Sequence, residues 1–280
     1  MSGCSGARIP EVTLRNQAHG LTEPLILNII TYNIYDLYIE SADRAERMSG
    51  IAEKLCTLDP DLVGFQESFV KDDRNILISE LQKCSRLQYH QYYPSRVVGS
   101  GLLISSAFPI TERSFHRFND TNSFFKVREG DWWAGKGVAL ARVELPDGIG
   151  YVDFYNTHAQ AGYGNPDYVI IRENQMWELA QFVNNSHSDR TLALLVGDLN
   201  SKIGDNAYQI ALEGADLVRV MSIDSGVDHI FAVRDANYTF ELLETVRIDG
   251  SILVDGIEVT LSDHIGYMSI VRVIPCCTSN

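Results

Sequence analysis

Uninterrupted apolar runs alternate along the chain with segments that carry apolar residues on one face only. Residues 25–34 are almost all apolar and rich in β-branched side chains, which is typical of a strand buried on both faces. Residues 41–58 instead repeat apolar positions at helical spacing, and Ser41 is the expected N-cap. This alternation predicts a mixed α/β fold.

The same two patterns continue to the C-terminus. Further strands are predicted at residues 61–67, 89–93, 101–105, 110–118, 138–145, 151–157, 192–196, 226–233 and 266–273. Further helices are predicted at residues 71–84, 167–184 and 205–213, and a hairpin is predicted within residues 238–259. Residues 1–24 show no periodicity and are predicted to be irregular. Because no repeat or linker interrupts the rest, we expect residues 25–280 to form one domain of two packed sheets flanked by helices.

Polar side chains of a few chemical types follow the predicted strands. They are Asn33, Glu67, His158, the pair Asp198 and Asn200, the pair Asp263 and His264, and Asp228 within its own strand. Asp198 and Asn200 share a face of the extended chain, since alternate side chains point to the same side. Taken alone, this segment is equally explained as a turn with a capping Asp. Because α/β sheets place their sites at strand ends, the whole set predicts one cleft.

These residue types favour a divalent cation and proton transfer. Glu67 and Asn33 offer the oxygen ligands that Mg²⁺ and Ca²⁺ prefer. The absence of cysteine from the set argues against structural zinc. His264 lies beside Asp263, an arrangement that suits a general base with an orienting partner.

Composition narrows the choice of partner. The 280 residues carry a net charge of −14, and an acidic chain must overcome phosphate repulsion to bind nucleic acid, which disfavours that partner. The five cysteines show no metal-binding spacing, and their odd number predicts mostly reduced or buried thiols. Neither a signal peptide nor a transmembrane segment is recognisable, which favours a cytoplasmic location.

Six short segments surround the polar residues, and in chain order they are Thr31-Tyr-Asn-Ile, Phe65-Gln-Glu, Asn156-Thr-His, Gly197-Asp-Leu-Asn, Val227-Asp-His and Ser262-Asp-His. This ordered set resembles the endonuclease/exonuclease/phosphatase (DNase I-like) superfamily from about residue 26 onward. The resemblance implies a single-domain, four-layer α/β/β/α sandwich. It also implies metal-dependent phosphoester hydrolysis, with residues 25–280 as the catalytic domain.

Residues 100–110, residues 130–137 and the segment Asn156-Thr-His158-Ala are similar to those of the neutral sphingomyelinases. In that family an aspartate–lysine loop brings its lysine to the active site. The resemblance therefore implies that Lys136 clamps the substrate phosphate and that Asp131 partners it. A solvated loop lysine is the alternative.

Resemblance and chemistry together imply roles for the metal-binding and base residues. Glu67 is expected to be the main ligand of Mg²⁺, with Mn²⁺ or Ca²⁺ as alternatives, and Asn33 is expected nearby. His264 is expected to take a proton from the attacking water. Asp263 is expected beside it, and Asp228 is expected to fix the protonation state of a histidine.

The remaining roles concern the substrate phosphate. Asp198 is expected to orient the water, Asn200 to hold a phosphate oxygen, and His158 to stabilise the charge that develops on phosphorus. The paired indoles of Trp132 and Trp133 either contact a membrane interface or cap the core.

The predicted function is that of a divalent-metal-dependent phosphodiester hydrolase. The first hypothesis is a sphingomyelinase-like phospholipase C that removes a phospholipid head group by in-line water attack. The alternatives are a phosphodiesterase or nuclease of the same fold, acting on nucleic acid or a small soluble phosphoester, and a non-catalytic binding module. The expected partners are a phospholipid or other phosphodiester substrate and a peripheral membrane contact. No obligate protein partner is inferred.

Overall fold

The computed structural model describes residues 21, 23–39, 41–95, 99–119, 135–162, 166–188, 191–235 and 237–276. The strands in these ranges are β1 (Leu25–Asp36), β2 (Leu62–Ser68), β3 (Tyr89–Tyr92), β4 (Leu103–Ser106), β5 (Ile110–Arg117), β6 (Gly137–Glu144), β7 (Tyr151–His158), β8 (Thr191–Asp198), β9 (Leu217–Arg219), β10 (Asp228–Val233), β11 (Tyr238–Ile248), β12 (Ser251–Val254), β13 (Ile257–Thr260) and β14 (Gly266–Pro275). The helices are α1 (Arg44–Cys56), α2 (Lys71–Cys84), α3 (Asp167–Ser186) and α4 (Asn206–Gly214).

Twelve of these strands form two six-stranded mixed sheets. The first sheet has the order β11-β14-β1-β2-β4-β3 and the second has the order β5-β6-β7-β8-β10-β9. Within each sheet one central pair is parallel, β1 with β2 and β7 with β8. Both pairs are joined by a helix, as parallel neighbours require.

Three apolar cores hold four layers together. Leu27 and Ile29 of β1 pack with Leu194 and Val196 of β8 in the core between the sheets. The outer face of the first sheet packs against α1 and α2, and the outer face of the second packs against α3 and α4. The predicted four-layer α/β/β/α sandwich is therefore confirmed. The uninterrupted apolar runs arise because the central strands are covered on both faces.

The first helix begins later than predicted. Ser41 is not its N-cap, because its hydroxyl donates to the carbonyl of Leu37 at 2.7 Å and accepts from the amide of the same residue. These bonds form a tight turn before the helix. Asp43 is the N-cap, and α1 begins at Arg44.

The hairpin predicted within residues 238–259 is confirmed, and it consists of β12 and β13. The preceding strand, β11, is not part of it and pairs antiparallel with β14 along its length. β14 thus hydrogen-bonds on both edges, to β1 and to β11. Local periodicity identifies strands but does not reveal a partner that lies far along the chain.

A disulfide joins Cys56 to Cys84, with their Cα atoms 5.6 Å apart. These cysteines are the last residues of α1 and α2, which lie side by side on the first sheet. The expectation of reduced thiols is therefore wrong for this pair, whereas Cys276 is a free thiol. The pairing depends on helix packing, so the spacing of the cysteines along the sequence gives no sign of it.

Candidate active site

The polar residues predicted at the strand ends meet at one end of the sandwich. Asn33 and Glu67 lie near the carboxyl ends of the parallel strands β1 and β2. His158 and Asp198 end β7 and β8 and pair with each other in the parallel ladder. Asp228 begins β10 opposite Asp198, because those two strands are antiparallel.

An amide joins the carboxylates of the two sheets. Nδ2 of Asn33 donates to Oε1 of Glu67 at 3.1 Å and to Oδ2 of Asp198 at 3.2 Å. The contact with Asp198 is buried, and the contact with Glu67 is partly buried. Burial raises the pKa of Glu67 to about 7, with the Asp198 charge adding to the rise and the Asn33 hydrogen bond and Lys136 opposing it. The positive charge nearby therefore does not offset the burial of this carboxylate.

His264 is paired with a carboxylate from another segment. Its Nδ1 lies 2.9 Å from Oδ2 of Asp228, and its Nε2 lies 3.8 Å from Oδ2 of Asp198. Burial lowers the pKa of His264, but the hydrogen bond and charge of Asp228 outweigh burial and raise it to about 10. Burial and the nearby Asp198 also raise the pKa of Asp228 to about 7.

Lys136 lies at the opposite side of the cluster, against His158. Its Nζ is 2.9 Å from Nε2 of His158 and 2.6 Å from the carbonyl of Ala159, and the side chain is buried. Burial and the Lys136 charge lower the pKa of His158 well below its ordinary value. The neutral imidazole thus accepts from the ammonium of Lys136, and the predicted role of His158 at the phosphate stays a prediction.

Three site segments adopt backbone conformations that non-glycine residues rarely take. Tyr35, Glu67 and Asn200 have φ values of 49°, 58° and 49°. The amide of Asn200 donates to Oδ1 of Asp198 at 2.8 Å, and its side chain donates to the carbonyl of Ala159 at 3.1 Å. Such strain persists where surrounding contacts determine the backbone, and it is common at functional sites.

One predicted residue that the structure describes is not part of this cluster. Asp263 is exposed, and it lines a separate cavity of about 130 Å³ with Tyr35 and Arg47. The partner of His264 is Asp228, whose sequence position is distant. Asp131 lies outside the described residues, and so do Trp132 and Trp133.

Sequence reasoning missed Arg47 and Ser262, which bridge the segments that carry the cluster. Arg47 left one signal in the sequence, since it is a charged residue four positions before Ile51 on the apolar face of α1. Ser262 left no signal beyond its place in a motif.

The cluster has the chemistry of a divalent cation site. Oε2 of Glu67 and Oδ1 of Asp228 are buried and without a hydrogen-bond partner among the described residues. Ligand atoms of Asp198, Asp228 and His264 also lie within 4.8 Å of one another. The hydrogen bond of His264 to Asp228 occupies Nδ1 only, so the preference for Glu67 as a ligand rests on the Oε2 atom that has no partner among the described residues. Oxygen donors in this number suit a hard cation.

The chain matches the profile of the Endonuclease/Exonuclease/phosphatase family over residues 30–264. This range contains Asn33, Glu67 and His264 and nearly all the strands of both sheets. The chain belongs to the Endonuclease/Exonuclease/phosphatase family.

Curated relatives indicate a branch of that family. A putative neutral sphingomyelinase of Drosophila melanogaster is 29% identical over 271 residues, which cover 88% of this chain and 60% of that protein. An inositol phosphosphingolipids phospholipase C of Schizosaccharomyces pombe is 31% identical over 177 residues, which cover 62% of this chain and 41% of that protein. The chain thus spans less than two thirds of the length of these relatives.

Solved structures share the fold at lower identity. Sphingomyelinase C from Streptomyces griseocarneus has a TM-score of 0.68 and 20% identity, covering 88% of this chain and 99% of its own. A Staphylococcus aureus beta toxin variant with bound magnesium ions has a TM-score of 0.69 and 19% identity, again covering 88% and 99%. These matches support the same architecture.

Proposed function

We propose that the chain is a divalent-metal-dependent phospholipase C that hydrolyses the phosphodiester of a phosphosphingolipid. The observation that carries this proposal is the largely buried cluster of Asn33, Glu67, Asp198, Asp228 and His264 at one end of the sandwich. Two of its carboxylate oxygens have no hydrogen-bond partner in the part of the chain that the structure describes, which suits a cation, and its paired histidine suits proton transfer. The sphingolipid-acting relatives support the class of substrate.

In this proposal Glu67 and Asn33 would hold Mg²⁺, and a cation there would supply positive charge against the phosphate and against the carboxylates that raise the pKa of His264. Asn200 and the ammonium of Lys136 hold phosphate oxygens as negative charge develops. Preorganised donors of this kind are each worth about 10²–10³ in rate.

His264 and Asp198 act on the attacking water. Asp198 orients the water, and Nε2 of His264 removes its proton while Asp228 holds Nδ1. A new bond forms between the water oxygen and phosphorus, and the bond from phosphorus to the lipid oxygen breaks. The lipid oxygen leaves as an alcohol after it takes a proton from solvent, and His264 releases its proton to solvent.

An assay panel tests the proposal and its alternatives. Sphingomyelin vesicles, inositol phosphoceramide vesicles, plasmid DNA and bis(4-nitrophenyl) phosphate are each incubated with Mg²⁺ or with EDTA. We expect Mg²⁺-dependent head-group release from one or both sphingolipids and none by the His264→Ala protein. Plasmid nicking without lipid hydrolysis would identify a nuclease. No metal-dependent activity on any substrate would indicate a binding module.

The proposal extends to contact with a lipid bilayer through exposed aliphatic side chains around the site. This apolar rim consists of Ile39, Ile203, Leu253 and Ile257, which are 94%, 50%, 76% and 68% exposed. Ile39 and Ile203 follow β1 and β8, in the loops beyond Asn33 and Asp198. The β12–β13 hairpin carries the other two and follows β11, whose last residue pairs with Gly266 near His264.

A lipid surface fits this rim because burial of each aliphatic side chain is favourable by about 1.5–3 kcal/mol. Within the described residues, none of the helices has the length and apolar composition needed to cross a bilayer. Peripheral docking would present the lipid phosphate to the cleft. The net charge of −14 would weaken binding to anionic vesicles relative to zwitterionic ones.

Vesicle sedimentation tests this contact. We expect a protein with Ile39→Asp and Leu253→Asp to bind sphingomyelin–phosphatidylcholine vesicles at least about 100-fold less tightly and to hydrolyse them correspondingly more slowly. Its rate on bis(4-nitrophenyl) phosphate should stay unchanged. Ile26→Asp is the matched control, because Ile26 is 49% exposed at the opposite end of β1. Equal vesicle binding by all three proteins would contradict docking through the rim.

A further inference from the structure

Arg47 of α1 is a buried cation without a role in the chemistry described above. Only 2% of its surface is exposed, and it lies among the buried residues of α1 with Met48 and Ile51. Burying a guanidinium is costly unless its N–H groups find acceptors. The acceptors therefore show which parts of the chain Arg47 holds.

The hydrogen bonds of Arg47 go to backbone carbonyls of three separate segments. Nη1 donates to Ile34 at 3.0 Å and to Leu261 at 2.9 Å, and Nη2 donates to Tyr35 at 2.7 Å. Nε donates to Ala42 at 3.0 Å. Because carbonyl positions are set by the path of the chain, these bonds fix where the segments run.

Two of these segments carry site residues, and strand pairing does not align them. The ladder between β1 and β14 ends at the pair Thr31 and Tyr267. Asn33 follows Thr31 along β1, and His264 lies in the segment just before β14, so neither residue takes part in the ladder. Their separation is therefore set by contacts outside the ladder.

Ser262 completes the connection between the same segments. Its hydroxyl donates to the carbonyl of Asn33 at 2.7 Å and accepts from the amide of His264 at 3.1 Å. Arg47 holds the next two carbonyls along β1 and the carbonyl just before Ser262. The two side chains thus tie both segments together where the ladder has ended.

We propose that Arg47 is a positioning residue that holds the Asn33 segment and the His264 segment at their working separation. The proposal rests on the proposed function, because it concerns the same site. A lysine keeps the charge at this position, but its compact ammonium lacks the planar fork that reaches carbonyls in different directions. A misplacement of about 1 Å in a catalytic group can cost about 10²-fold in rate.

Arg47→Lys is the first test, and Arg142→Lys is its matched control. Arg142 is also buried, but it pairs with Asp153 and Glu112 outside the catalytic cluster. We expect Arg47→Lys to lower kcat about 10- to 100-fold with KM within about threefold, and to weaken Mg²⁺ binding, measured by calorimetry without substrate, about tenfold. Arg142→Lys should lower the melting temperature and leave kcat and Mg²⁺ binding unchanged.

Hydrogen exchange separates this inference from the proposed function. In Arg47→Lys we expect faster exchange at amides 35–38 and 262–264 only, whether or not any phosphodiesterase activity is found. Inactivity of the wild-type protein on every substrate would overturn the proposed function. Hydrogen exchange would still test whether Arg47 holds the Asn33 segment and the His264 segment together. If Arg47→Lys does not fold, Ser262→Ala is measured in the same way, with a smaller loss expected. Wild-type exchange, kcat and Mg²⁺ binding in the folded variant would overturn the inference.

Discussion

Nδ1 of His264 and Oδ2 of Asp228 lie 2.9 Å apart, although 36 residues separate them in the sequence. The aspartate beside His264 in the sequence, Asp263, is exposed instead. The carboxylate that orients the histidine therefore comes from the second sheet, whereas the histidine itself lies next to β14 of the first.

Asp228→Asn should leave a folded protein with a strongly reduced rate. The amide removes the charge that raises the pKa of His264 and no longer selects the required tautomer. We expect kcat to fall by about 10²–10⁴, measured on sphingomyelin vesicles. Asp216→Asn, which alters an exposed ion pair with Arg234, is the control and should behave as wild type. If kcat of Asp228→Asn stays within about threefold of the wild-type value, Asp228 has no role in the mechanism.

Lys136→Met should remove the cation that lies against His158. We expect kcat to fall by about 10²–10³ through loss of charge stabilisation at the phosphate. The pKa of His158, which burial and then Lys136 keep low, should rise partway, as nuclear magnetic resonance of the imidazole would show. Lys202→Met, at an exposed lysine in the loop after Asn200, should change neither. An unchanged rate would make Lys136 a structural residue.

Glu67→Gly should be more stable than Glu67→Ala, although both should be inactive. Both variants lose the carboxylate, but only glycine adopts a φ of 58° without strain. We expect a difference in the free energy of unfolding of about 1 kcal/mol, measured by urea denaturation. Equal stabilities would mean that the backbone at Glu67 carries no strain.

The stabilisation by Mg²⁺ should increase with pH. Burial raises the pKa of Glu67 to about 7 from 4.5, so at intermediate pH the folded protein keeps a proton that the unfolded chain has lost. The metal-free protein should therefore lose stability as pH rises through this interval. A cation binds the ionised carboxylate, so the rise in melting temperature with Mg²⁺ should be larger at about pH 8 than at about pH 5. In the Glu67→Gln variant the rise in melting temperature with Mg²⁺ should be small at both pH values. A large rise in that variant would show that the cation binds elsewhere.

Removal of the disulfide should reduce stability and leave the chemistry intact. The bond between Cys56 and Cys84 joins residues 28 apart, and opening such a loop costs about 3–4 kcal/mol in the chain-entropy account. We expect the protein with Cys56→Ser and Cys84→Ser to melt at a lower temperature with unchanged kcat. A dithiol reductant should lower the melting temperature of wild type only. An insensitive wild type would show that the bond contributes nothing.

The sequence predicted the layers well because the central strands are contiguous apolar runs. The polar residues that end these runs, such as Asn33 and Asp198, are visible for the same reason, and the structure brings them together. Pairing between distant parts of the chain was not visible. The partner of β11, the disulfide at Cys56 and the carbonyls around Arg47 all depend on packing, which local patterns do not encode.

The pairing of Leu25 with Val273 puts the start of β1 and the end of β14 side by side, at the end of the sandwich remote from His264. A short tether attached next to either strand terminus would therefore leave the cleft pointing away from the attachment surface. The protein is therefore suited to immobilisation on a sensor chip, where the time that each vesicle stays bound to a single protein molecule could be measured.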